Sequence, residues 1–154
     1  MRSPRGVHHV ALRVDDLARV EPFYRDVLAL PVLRRWPKED GGGSGAAGAA
    51  GAAGAIDDRS VWLDAGGGAF VALETAPGQA TPDVRAARAA TEGPPVLALR
   101  IGADERAAWE ARLQAAGVAI YHRTAFTLYV RDPEGNRIGL SHYPDPQAGA
   151  AAGG

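Results

Sequence analysis

The chain repeats itself. HVALRV, His9 to Val14, returns as VLALRI, Val96 to Ile101, and VWLDAGGG, Val61 to Gly68, returns as LYVRDPEG, Leu128 to Gly135. A repeat of this length forces both halves into one kind of unit, and neither is large enough to bury both faces of its sheet alone. In the first half, VHHVALRV (Val7–Val14) alternates apolar and polar residues as a strand does. Asp15 or Asp16 then caps a helix whose Leu17, Val20, Tyr24, Val27 and Leu28 share one face. PVLRRW (Pro31–Trp36), RSVWLD (Arg59–Asp64) and AFVALET (Ala69–Thr75) read as three further strands. The second half repeats the order. PVLALRI (Pro95–Ile101) precedes a helix capped by Asp104, with Trp109, Leu113 and Ala116 facing inward and Gly117 as its stop. VAIYHR (Val118–Arg123), FTLYVRD (Phe126–Asp132) and NRIGLSHY (Asn136–Tyr143) follow as strands, the last two joined by a DPEGN turn. The reading is an α+β fold: two tandem βαβββ modules forming a curled mixed sheet around a shared cleft.

One domain is expected over 1–146. Module one spans 6–75, a linker 76–94 and module two 95–144, with 147–154 a disordered tail. Within module one, Gly41–Ala55 is a low-complexity Gly/Ala run with nothing to bury, better read as a tolerated surface insertion than as a lid. The linker contains DVRAARAA, a candidate short helix.

Composition narrows the chemistry. With no cysteine, disulfides, thiolate nucleophiles and Cys-ligated zinc are excluded, leaving His, Asp and Glu as metal ligands. A formal net charge of −1 with interleaved Arg and acids gives no footprint for nucleic acid. No apolar run has the roughly 18–20 residues that span a bilayer. MRSPRGVHHVALRV passes directly into a strand pattern without an apolar signal block, so a cytoplasmic protein with a small-molecule partner is expected.

Three segments carry a family resemblance: HHVALRVDDL (His8–Leu17), PFYRDVLALPV (Pro22–Val32) and VRDPEGNRIGL (Val130–Leu140). Together, in order and duplicated, they resemble the vicinal oxygen chelate superfamily, which includes glyoxalase I, extradiol ring-cleavage dioxygenases, fosfomycin-resistance enzymes and bleomycin-binding proteins. The resemblance implies a homodimer. In catalytic members it also implies one divalent metal (Fe, Mn, Ni or Zn), held by ligands from the first and last strands of each half. On that pattern His9 is the first-strand ligand, whereas strand alternation sends His8 to the opposite face as a surface or interface residue. The corresponding second-half position is Val96, and the last-strand position after DPEGNRI is Gly139; neither has a donor atom. A gapless overlay of VWLDAGGGAFVALET on LYVRDPEGNRIGLSH pairs Ala72 with Gly139 and Glu74 with Ser141. Glu74 is therefore the remaining carboxylate candidate, about 6–7 Å further along the same face.

The stretch from Tyr121 to Gly135 also resembles the extradiol dioxygenase signature. His122, Tyr129, Asp132-Pro133 and Gly135 fall in order, and only the closing glutamate is missing, at Gly139. In that family the histidine and tyrosine bind substrate oxygens and help move a proton, which suits an imidazole titrating near neutrality and an uncharged phenol. His142, three residues past Gly139, is expected to face away from that slot. Trp36, Trp62, Tyr121 and Tyr129 offer stacking surface for a ligand. Two readings stay open. One is a small-molecule binding protein with an incomplete inherited metal site. The other is a metal-dependent lyase, isomerase or extradiol-type dioxygenase with a remodelled ligand set, with His9 and Glu74 at the metal, His122 and Tyr129 in catalysis, and Trp62 and Tyr121 lining the pocket.

Overall fold

A computed structural model describes residues 6–37, 58–75 and 96–145. The Gly/Ala insertion, the DVRAARAA segment and the expected tail lie outside the described residues. The chain divides into two compact units, Met1–Gln79 and Ala80–Gly154. Unit one runs β1 (His9–Val14), α1 (Leu17–Pro22), a π-helical turn (Phe23–Val27), β2 (Val32–Pro37), β3 (Asp58–Gly66) and β4 (Ala69–Thr75). Unit two runs β5 (Val96–Arg100), α2 (Arg106–Ala115), β6 (His122–Arg123), β7 (Thr127–Arg131) and β8 (Arg137–Ser141). The sheets have orders β1-β4-β3-β2 and β5-β8-β7-β6. In each, the first strand pairs parallel with the last and the rest pair antiparallel. This is the tandem βαβββ arrangement that the repeat predicts.

The duplication extends to register. Ala72 stands opposite Ala11 and Trp62, and Gly139 stands opposite Ala98 and Tyr129. The gapless overlay read from sequence is thus the overlay of the hydrogen-bonded ladders. Period-two alternation separates two faces in each sheet. In unit one Val61, Leu63, Val71 and Leu73 are buried with Leu17, Val20, Tyr24 and Leu28 of the helical segment. In unit two Leu128, Val130, Ile138 and Leu140 are buried, as is Leu113 of α2.

Asp16 is the cap of α1, its Oδ1 accepting from the Arg19 N–H at 3.2 Å. The predicted single helix to Leu28 changes character at Pro22. Proline has no N–H to donate and its ring crowds the carbonyl one turn back, so the ladder widens into a π turn. The Leu28 N–H then reaches the Phe23 carbonyl at 3.0 Å. Glu21, on the last turn of α1, is fully buried. Its Oε1 accepts from Arg25 Nη1 at 2.8 Å and from Arg35 Nη2, and its Oε2 accepts from Arg35 Nη1 at 2.9 Å. Arg35 also donates to Asp58 at 3.0 Å. The hydrogen bond to Glu21 holds the Arg35 guanidinium above its ordinary pKa.

In unit two the expected helix cap shifts by one residue. Glu105, not Asp104, precedes α2, and its carboxylate accepts from the Gly102 N–H at 2.7 Å instead of capping the helix. Gly117 ends the helix in the left-handed conformation, φ 69°. Ala116, expected to face inward, is exposed because it is already the C-cap residue, while Leu113 is buried and Trp109 half-buried. The DPEGN turn is organised by Asp132, which is buried. Its carboxylate accepts from the N–H groups of Glu134 and Asn136, each at 2.9 Å, and from Asn136 Nδ2 at 2.7 Å.

Candidate functional site

The face of the unit-one sheet opposite its apolar core carries a line of rings. Register puts His9, Phe70, Trp62 and Trp36 on this face, one from each strand in spatial order. His9 stacks on Phe70 with centroids 4.9 Å apart and planes 10° from parallel. Phe70 stacks on Trp62 at 4.5 Å and 21°, and Trp62 meets Trp36 at 5.4 Å, tilted by 56°. The Arg34 guanidinium lies 4.0 Å above the Trp36 ring and closes the line. His9 and Phe70 are direct partners, whereas the other contacts are diagonal, a separation that aromatic side chains bridge. Trp36 and Ser60 are ladder partners on the same face. Trp36 Nε1 and Ser60 Oγ are both buried without a hydrogen-bond partner among the described residues.

His8 departs from the sequence expectation. β1 begins only at His9, so alternation does not govern His8, and its ring turns to the same side. Its Nδ1 lies 2.9 Å from His9 Nδ1, and its ring meets Phe70 edge-on at 5.2 Å.

A divalent ion fits this donor set poorly. Phe70 is the ladder partner of His9, while Glu74 is the partner of Arg13. Four residues of strand separate Glu74 from the position opposite His9, about 13 Å at ~3.3 Å per residue. Side chains rooted that far apart and standing up from the sheet do not converge on an ion with donor bonds of about 2.0–2.2 Å. The diagonal neighbour of His9, where a carboxylate would reach it, is Ala72. Among the described residues no three His, Asp or Glu side chains gather into a metal-binding group.

In unit two the matching face carries Val96, Ala98 and Arg100 from β5, Arg137, Gly139 and Ser141 from β8, Thr127, Tyr129 and Arg131 from β7, and His122 from β6. His122 and Tyr129 are direct ladder partners with ring centroids 5.5 Å apart. Tyr121 sits just ahead of β6, its N–H donating to the Tyr129 carbonyl at 3.0 Å. Its phenol oxygen accepts from Arg137 Nε at 3.0 Å, and the Arg131 guanidinium lies 4.8 Å over its ring. His142 is buried, its Nε2 3.3 Å from Arg106 Nη1 and its Nδ1 directed at the Asp145 carbonyl.

The Gly139 slot is filled from its sides. A Cβ there would lie 3.2 Å from Thr127 Cγ2, 3.5 Å from Val96 Cγ1 and 3.7 Å from the Ala98 Cβ. The Thr127 hydroxyl donates to Ser141 Oγ at 2.9 Å, which fixes the rotamer that points the methyl at Gly139. Gly139→Ala should therefore destabilise the chain by about 1–2 kcal/mol through overpacking. Thr127→Ser in the same chain should restore most of that loss, and urea unfolding of the two single variants and the double variant measures the coupling.

The structure brings together His122, Tyr129 and Tyr121 in unit two, and His9 and Trp62, through Phe70, in unit one. It does not bring Glu74 to His9. Sequence reasoning passed over Phe70, Arg34, Arg131 and Arg137. Phe70 and Arg137 were within reach, since they lie two residues before Ala72 and Gly139 and share their faces by alternation.

Duplicated βαβββ units, each with one sheet face on its apolar core and the other bearing aromatic and polar side chains, define the class of fold. The Glyoxalase/Bleomycin resistance protein/Dioxygenase superfamily profile matches residues 6–140, and the chain belongs to that superfamily. Among solved structures, it is similar to a glyoxalase/dioxygenase from Nostoc punctiforme, with TM-score 0.67 and 21% identity over 94% of this chain and 97% of that one. It is also similar to a fosfomycin resistance protein from Mesorhizobium loti (TM-score 0.62, 16% identity, 90% and 92% covered). Lactoylglutathione lyase from Agrobacterium tumefaciens gives TM-score 0.60 and 20% identity, with 92% and 96% covered. No curated protein matches the sequence. Among the described residues no helix is long and apolar enough to cross a membrane.

Proposed function

We propose that the chain is a small-molecule binding protein that holds a flat, conjugated ligand by stacking, without a metal ion in the inherited His9 position. The observation that carries this reading is the line His9–Phe70–Trp62–Trp36 across the unit-one sheet. Phe70 is buried between His9 and Trp62 and serves to fix them, while the exposed His9 and the half-buried Trp62 and Trp36 offer the contact surface; rings fixed by a sheet lose little entropy on binding. The Trp36 N–H and Ser60 hydroxyl, buried without a partner among the described residues, favour a ligand that carries a polar atom near its ring system. Homodimerisation and a cytoplasmic location belong to the same reading and rest on the family likeness.

The test is quenching of tryptophan fluorescence on titration with bicyclic aromatics such as 2-naphthol and quinoline, in Trp109→Phe protein with and without EDTA. Saturable quenching that EDTA leaves unchanged is the expected result. Trp62→Ala should weaken binding about tenfold or more, the scale of one lost aromatic contact. Unsaturable quenching, or equal affinity in Trp62→Ala, would overturn the stacking site.

The direct pairing of His122 with Tyr129 favours a second reading, a metal-dependent lyase, isomerase or extradiol-type dioxygenase with a remodelled ligand set. An imidazole beside a phenol suits proton transfer to a bound oxygen. Ligand binding abolished by EDTA and restored by Mn, Fe, Ni or Zn would decide for it.

A further inference from the structure

We infer that Arg34–Trp36 of β2 is a hinged strap that must lift before a ligand's polar group reaches Trp36 Nε1 and Ser60 Oγ. This rests on the stacking reading and adds to it how that site opens. Both atoms are buried, and neither has a hydrogen-bond partner among the described residues. They belong to ladder partners on β2 and β3, and Ser60 is 7% exposed. The rings present an outer surface to a flat ligand, whereas this polar pair has no opening to solvent. Buried donors and acceptors are normally satisfied, so the pair calls for an explanation, and entry of a partner supplies one. A neutral ring hydroxyl is such a partner: its oxygen accepts from the Trp36 N–H and its hydrogen is donated to Ser60 Oγ. Its entry needs the β2–β3 seam to part.

β2 is built for that movement. It is an outermost strand of its sheet, bonded on one side to β3. Its ladder loses step twice, between Val32 and Arg34 and between Trp36 and Pro37. The pairs Val32–Leu63 and Arg34–Trp62 leave Leu33 as an extra residue on β2, and the pairs Trp36–Ser60 and Pro37–Asp58 leave Arg59 as an extra residue on β3. Leu33 is exposed, having no place in the ladder. Between these bulges the pairs in step are Arg34–Trp62, Arg35–Val61 and Trp36–Ser60. Interrupted pairing at both ends confines a lift to Arg34–Trp36. Arg35, in the middle, belongs to the opposite face, where Glu21 and Asp58 hold its guanidinium. The strap is therefore tethered at its centre and rocks instead of detaching.

The rest of the sheet has no comparable segment. β1 keeps step with β4 from His9–Phe70 to Val14–Thr75, and β3 keeps step with β4 from Ser60–Glu74 to Asp64–Phe70.

The experiment is stopped-flow quenching of tryptophan fluorescence in Trp109→Phe protein, with 2-naphthol and with naphthalene, which has no polar atom to seat. Naphthalene needs the outer rings alone, so its observed rate should rise linearly with concentration. The hydroxyl of 2-naphthol should add a slower phase whose rate levels off at the opening rate of the strap. Deleting Leu33 restores an unbroken ladder at one hinge. It should lower that plateau about fivefold, the scale of one regained ladder hydrogen bond, and leave the naphthalene rates unchanged. Trp36→Phe with Ser60→Ala removes both buried polar atoms with little change of shape, and 2-naphthol should then bind as naphthalene does. This double variant decides the matter even where the deletion fails to fold. Saturable binding of both ligands with linear rates throughout would overturn the strap and leave the stacking reading standing. A slow phase that survives the double variant unchanged would also overturn the strap. Absence of saturable quenching by either ligand would overturn both readings together.

Discussion

Replacing Glu21 with alanine should lower the unfolding free energy by about 3 kcal/mol, the cost of leaving the partly buried Arg35 guanidinium without the carboxylate that receives its hydrogen bonds. Glu21 has no exposed surface and receives hydrogen bonds from both Arg25 and Arg35. Arg25 is the more exposed of the two and regains water when the carboxylate leaves, so most of the loss comes from Arg35. Asp58 compensates only in part, since it already holds Arg35 Nη1 at 3.0 Å. Urea unfolding measures the loss. A paired variant, Glu21→Leu with Arg35→Met, should recover most of it, because an apolar pair removes the charge that needed a partner. If Glu21→Ala costs less than about 1 kcal/mol, within the range of a surface ion pair, Glu21 does not hold the helix to β2.

The second large effect concerns Asp132. Its carboxylate ties three donors of the DPEGN turn, the N–H groups of Glu134 and Asn136 and the Asn136 side chain. Asp132→Ala leaves these donors without an acceptor in a partly buried turn and should cost about 3 kcal/mol. Asp132→Asn should recover only part, because its amide can accept the two backbone N–H groups but turns a second donor toward Asn136 Nδ2. The turn sets the entry of β8, so loosening it moves Arg137 and Gly139. Asp132→Ala should therefore broaden the backbone amide resonances of β7 and β8 before global unfolding, while those of β3 and β4 stay sharp. Uniform broadening would show that the turn is not a local clamp.

Much of the fold was legible because its signals are short-range and repeated. Alternation marked β1, β3, β4, β5, β7 and β8, and duplication checked one half against the other. The helix after Asp16 was legible up to Pro22, but the π turn arises from which carbonyl remains within reach once an N–H is missing. Glu21 was not legible as a buried charge. In sequence it is one more polar residue in a helix, and only the approach of Arg35 from β2 makes its burial tolerable.

The candidate site was readable in parts. Trp62, Tyr129, His122 and His9 all lie on the sheet faces opposite the apolar cores, and Tyr121 adjoins Tyr129 just ahead of β6. That His9 and Glu74 are four residues out of step was not readable, since sequence fixes parity within a strand but not which residue stands opposite in the next. His8 failed for a related reason: alternation applies only inside a strand, and the strand starts one residue later.

The matched registers have a consequence for how this chain has diverged. Trp62 answers to Tyr129, Phe70 to Arg137, Asp64 to Arg131 and Arg34 to His122, each pair occupying one geometrical seat in two copies. One ladder seats flat aromatic side chains where the other seats cationic and polar ones, so a single backbone pattern carries two different surface chemistries in one polypeptide. Exchanging residues seat for seat, Phe70 with Arg137 for instance, would move one chemistry onto the other ladder.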